Sequence, residues 1–199
     1  AETAQQHPDT LYIALDRVPD AMIVAMERCM DKGLTNVFFI DGDAARLRDY
    51  FAPDEVDQMY INFCDPWPSN RHAKRRLTHE NFLVLYRGIL KTGGKLCFKT
   101  DNRDLFEFSL FQFPKAGYDL SEVTRDLHNQ GICGVMTDYE AKFHDQGVPI
   151  NRCVGTKLAV DPEPEFHPIP GWGDAHPGVR PDSERDEADG QAPEAEPAA

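Results

Sequence analysis

The sequence predicts an α/β protein: an open sheet of parallel strands joined by crossover helices and finished by an antiparallel hairpin. Short β-branched and aromatic runs alternate with helical periodicity from Leu11 to Phe113. That alternation implies right-handed crossovers of the Rossmann kind. Beyond Gly117 the pattern changes to strand, short helix and strand, as an edge hairpin requires. With 199 residues, 41% of them hydrophobic, the chain can bury a sizeable core, and disorder throughout is excluded.

Leu11 to Leu15 reads as a strand, and Asp20 to Lys32 as a helix with Met22, Ala25, Met26, Cys29 and Met30 on one face, stopped by Gly33. Val37 to Ile40 is a buried strand, Ala44 to Tyr50 a short helix, and Val56 to Phe63 a third strand. Thr78 is placed to N-cap a helix carrying Phe82, Leu85, Tyr86, Ile89 and Leu90, with Gly93-Gly94 as its end. KLCFKTD follows as a strand, then an amphipathic helix through Phe113. YDLSEVTRDLHNQ is a strand with its exit, TDYEAKFHDQG a short helix and PINRCVGTKLAV the closing strand.

Charge divides the chain. Residues 161–199 hold 11 Asp and Glu against two Arg, with much Pro and no periodicity, and are expected to be a disordered acidic tail behind a domain at 1–160. Of the formal charge of -13, only about -4 then belongs to residues 1–160, so a polyanionic partner is not excluded. Five cysteines, without a C-x-x-C pair, fit reduced thiols in a cytoplasmic protein. There is no apolar run of the roughly 20 residues a membrane span needs. His72, His79, His128 and His144 share no metal-ligand spacing, and no metal is expected.

Ligands of such sheets bind beyond the carboxyl ends of the strands, and those ends carry Asp16, Asp43, Asp65 and Asp101. Each alone is also an ordinary turn or capping residue. In CDPWP, Pro66 and Pro68 stiffen an extended loop that holds Asp65 beside Trp67, an acid and a flat wall suited to a planar base. Taken alone, Trp67 reads more readily as core and Asp65 as a cap. Directly after it come Arg71, His72, Lys74, Arg75 and Arg76, ahead of a helix N-terminus where the dipole disfavours cations. Phosphate binding gives that run a reason. Thr137 and Glu140 form a T-x-x-E capping box.

FCDPWPSNRHAKRRLTHENFL, then GGKLCFKTDNRDLFEFSL and MTDYEAKFHDQGVPI in that order, resembles the bacterial tRNA (guanine-N7-)-methyltransferases from about residue 8 to about residue 158. The resemblance implies a class I methyltransferase fold, S-adenosylmethionine as cofactor, and methylation of a guanine in the variable loop of tRNA. It implies cofactor contacts at Asp16, Asp43 and Asp65, with Asp65 also catalytic. Ser69, Asp101, Thr137, Asp138, Tyr139 and Glu140 match positions assigned to substrate, and Arg71, His72, Lys74, Arg75 and Arg76 the RNA-contacting block.

Two departures from that pattern bear on function. Ser69-Asn70 stands where the family commonly has a basic pair, which predicts weaker RNA affinity and a shallower salt dependence. The family also opens this domain with a strand and a G-x-G-x-G loop, whereas AETAQQHPDTLYIALD aligns with the helix after that loop and the second strand. The chain therefore reads as N-terminally truncated, without the first, central strand, leaving two neighbours with unpaired backbone groups. Two alternatives stay open: a base or amide N-methyltransferase with a related acid-Pro-Pro-aromatic loop, and a non-catalytic RNA-binding module or partner subunit.

Overall fold

The computed structural model describes residues 1–159, and the tail expected over 161–199 lies outside them. In chain order come α1 (Glu2–Gln6), β1 (Tyr12–Asp16), α2 (Pro19–Asp31), β2 (Val37–Asp41), a 3-10 turn (Ala44–Arg46) running into α3 (Leu47–Tyr50), and β3 (Val56–Asn62). A second 3-10 segment (Asn70–Arg75) leads to α4 (Glu80–Arg87), β4 (Leu90–Thr100), α5 (Arg103–Lys115), β5 (Tyr118–Thr124), α6 (Asp138–Asp145) and β6 (Asn151–Lys157).

Among the described residues the strands form two sheets. β1 and β2 pair in parallel, from Tyr12 opposite Val37 to Asp16 opposite Asp41. The larger sheet runs β3-β4-β6-β5, with β3 parallel to β4 and β6 antiparallel to both of its neighbours. The predicted antiparallel pair thus stands at the sheet's end, β5 outermost. Among the described residues β1 and β3 do not pair, so the β1-β2 pair and the larger sheet share no backbone ladder.

The core lies in the larger sheet. β4 is buried at Leu90 and continuously from Leu96 to Phe98, as an interior strand covered on both faces is. Against the larger sheet α4 buries Leu83 and Tyr86, and α5 buries Leu105, Phe106, whose ring stacks on Phe98 of β4, and Phe113, which meets Tyr118 of β5. Each such side chain contributes roughly 1.5–3 kcal/mol by leaving water. Gly155 of β6 is what lets α5 come close, because a methyl group there would overlap the Phe113 ring. α2 has less to cover: of its expected apolar face only Cys29 is buried, and Met30 is 77% exposed.

Three local expectations are corrected. The helix after the basic run is N-capped by His79, whose Nδ1 accepts from Asn81 N at 3.1 Å, while the Thr78 hydroxyl is buried in a 2.7 Å hydrogen bond with Ser109 of α5. That helix stops at Gly88, and Gly93-Gly94 lies inside β4. Pairing decides this, since Leu90 is taken up as the partner of Val56. The CDPWP segment is not extended throughout: Trp67 has φ +43°.

Candidate active site

Asp16 ends β1, and its Oδ1 accepts the backbone N–H groups of Arg17 at 2.7 Å and Val18 at 2.9 Å. Asp43 follows β2 and caps the 3-10 turn, its Oδ1 accepting from Ala45 N at 2.9 Å. The Arg17 guanidinium, 3.2 Å from Asp43 Oδ2, links the two strand ends. Parallel pairing therefore brings these acids together as the sequence expects, and both also serve as local caps. Asp16 Oδ2 makes no hydrogen bond among the described residues.

Asp65 lies exposed in the loop after β3. The loop is strained around it: Phe63 has φ +53° and Trp67 φ +43°, conformations that cost a bulky residue roughly 1–3 kcal/mol each. Packing holds them. Phe63 N donates to Lys99 O at 2.9 Å, and its ring stacks on Tyr139 and Phe143 of α6 at centroid distances of 6.2 and 6.1 Å. On the other flank Arg76 donates from Nε to Pro66 O at 3.0 Å and from Nη2 to Trp67 O at 3.0 Å, its guanidinium 4.4 Å from the Phe108 ring centroid.

The basic run divides accordingly. Arg71, His72, Lys74 and Arg75 are exposed on the 3-10 segment, with Ser69 exposed at its start. Arg75 lies 5.0 Å over the Trp67 ring, and His72 meets its edge at 5.6 Å. Arg76, expected among the phosphate contacts, is 7% exposed and turned inward onto the loop it follows.

Asp101 leaves the end of β4, half-buried, and its carboxylate has no hydrogen-bond partner among the described residues. The chain then turns into α5, where Asn102 Oδ1 caps Leu105 N at 2.8 Å. At α6 the capping box is present: Thr137 Oγ1 accepts from Glu140 N at 3.1 Å, and Glu140 Oε2 from Thr137 N at 3.2 Å. Asp138 pairs with Arg28 of α2, and Tyr139 is 63% exposed. Glu140 is wholly buried, bonded to Lys99 Nζ at 2.8 Å and His128 Nε2 at 2.9 Å. Phe63, Lys99 and His128 were not expected at the site. An i, i+4 aromatic pair, Tyr139 and Phe143, was the one signal in the sequence for the Phe63 stack.

Burial pushes the Cys64 thiol up to about 12, and neighbouring Asp65 adds to it, so next to the site's acid stands a protonated thiol rather than a nucleophile. Burial pushes the Tyr86 hydroxyl up, and the nearby Cys64, Tyr118 and Asp43 add to it. Among the described residues no His, Cys, Asp and Glu group is arranged to hold a metal ion.

Residues 1–153 match the family model described as "Putative methyltransferase". A tRNA (guanine-N(7)-)-methyltransferase of Streptococcus suis is 47% identical over 150 residues, covering 75% of this chain and 71% of the relative. One from Halalkalibacterium halodurans is 46% identical over 151 residues, covering 75% and 69%. Among solved structures, an antibiotic-related methyltransferase superposes with a TM-score of 0.56 at 17% identity, covering 79% of this chain and 80% of that one, a likeness of fold alone.

Proposed function

The chain belongs to the bacterial tRNA (guanine-N(7)-)-methyltransferases, and we propose that it methylates N7 of a guanine in the variable loop of tRNA with Asp65 at the reacting centre. The observation that carries this reading is the exposed Asp65 carboxylate on a loop locked between α6 and Arg76, with four exposed basic residues directly after it.

S-adenosylmethionine, when bound, supplies a methyl group activated by its sulfonium. Asp16 and Asp43 fit it chemically: two neighbouring carboxylates at the ends of parallel strands suit ribose hydroxyl and amine donors. Guanine N7 has an in-plane lone pair and needs no deprotonation, so positioning and desolvation do most of the work. Asp65 accepts hydrogen bonds from the base edge and stabilises the positive charge the purine gains. Trp67 walls the base, Asp101 and the first turn of α6 flank it, and Arg71, His72, Lys74 and Arg75 contact phosphates. The five free thiols support a cytoplasmic location for the chain.

The test is methylation of unmodified tRNA with S-adenosylmethionine, with the product nucleoside identified. Asp65→Ala is expected to lower kcat by about 100-fold or more. Full activity in that variant sinks the role of Asp65. Because β1 and β2 stand apart from the larger sheet, titration calorimetry with S-adenosylmethionine separates the readings. Saturable binding supports the enzyme; tRNA binding without it supports an RNA-binding module.

A further inference from the structure

We propose that Lys99 and His128 are positioning residues for the tRNA guanine, acting through Glu140 to hold the first turn of α6 against the Asp65 loop. The proposal rests on the tRNA methyltransferase reading above and assigns Glu140 to this network, not to substrate contact.

Glu140 has no room for a ligand. Its carboxylate is wholly buried; Oε1 accepts from Lys99 Nζ at 2.8 Å and His128 Nε2 at 2.9 Å, and Oε2 from Lys99 Nζ at 3.1 Å and Thr137 N at 3.2 Å. A buried carboxylate is retained only when paired and hydrogen-bonded in this way. The imidazole is specified as well. His128 Nδ1 accepts the Cys133 backbone N–H at 3.2 Å, so Nε2 carries the proton and donates to the carboxylate.

Lys99 works in two directions. Its ammonium grips Glu140, and its backbone carbonyl accepts from Phe63 N at 2.9 Å, at the left-handed residue that starts the Asp65 loop. The Phe63 ring then lies on Tyr139 and Phe143 of α6. One residue of β4 thus fixes both the loop with the catalytic acid and the turn with Thr137 and Tyr139. A displacement of about 1 Å between such groups is enough for a 100-fold loss of rate.

Steady-state kinetics with tRNA and calorimetry with S-adenosylmethionine on Lys99→Met, Lys99→Arg, His128→Phe and His128→Gln test this. The expected result for Lys99→Met is a drop in kcat/KM for tRNA of about 100-fold, with cofactor affinity unchanged within about twofold. Lys99→Arg recovers at least about tenfold of it, and His128→Gln, which keeps a donor, stays well above His128→Phe. If Lys99→Met does not fold, the His128 pair decides, because it leaves the Lys99–Glu140 ion pair in place. The proposal is overturned by folded Lys99→Met or His128→Phe with wild-type kcat/KM, by His128→Gln no better than His128→Phe, or by an equal loss of cofactor affinity. Absence of any methylation by the wild-type chain is a different failure, that of the underlying function.

Discussion

The guanidinium of Arg76 holds the carbonyl oxygen of Trp67 through two hydrogen bonds, 3.0 Å from Nη2 and 3.3 Å from Nε. The last base of the RHAKRR run is therefore a clamp on the loop that precedes it. Arg76→Ala should lower stability by about 2 kcal/mol, the usual worth of charged hydrogen bonds, and leave the salt dependence of tRNA binding unchanged. Lys74→Ala should do the reverse, reducing the slope of log K against log salt by about 0.7–0.9 with little change in melting temperature. Filter binding across a salt series, beside thermal melts, distinguishes the two.

Phe63 reverses the usual ranking of glycine and alanine. At φ +53° a Cβ is strained and glycine is not, while both substitutions lose the same stack on Tyr139 and Phe143. Phe63→Gly should be more stable than Phe63→Ala by about 1 kcal/mol. Urea midpoints of the two variants measure this directly.

Gly155→Ala places a methyl group where the Phe113 ring lies. Either the ring or β6 must move, and overpacking of this kind costs roughly 1–3 kcal/mol. A lowered urea midpoint is expected, with partial recovery in the double variant Gly155→Ala/Phe113→Leu.

Burial raises the thiols of Cys64 and Cys153 from 9.0 to about 12. Between those values the unfolded chain has lost the protons that the folded chain keeps, so stability is complete below pH 9 and falls as pH rises toward 12. Urea unfolding at pH 8 and pH 10 should show the lower midpoint at pH 10, and Cys153→Ala should flatten the difference. Alkylation at pH 8 should label exposed Cys133 first and spare Cys64 and Cys153 until the chain unfolds.

The site was legible where it depends on neighbours in the chain. Thr137 and Glu140 meet across three residues, so their capping box could be read directly, and it is present. Asp16, Asp43, Asp65 and Asp101 follow strands that the alternation of patterns already located. The helix after Thr78 was misjudged because Ile89 and Leu90 continue an apolar spacing, while the strand that claims Leu90 begins at Val56. Pro66 and Pro68 pointed to an extended loop, and nothing local revealed that Arg76 and Phe108 would bend it at Trp67.

Element order, the acid after each parallel strand and the family were determined by the sequence alone, since they rest on periodicity and on short ordered motifs. Which charges stay exposed was decided only by the tertiary structure. Arg76 and Glu140 look like their exposed neighbours in the chain, yet both are buried. A charge can leave water only where partners are waiting, and Glu140 finds His128 and Lys99 at 12 and 41 residues' separation, distances no local pattern encodes.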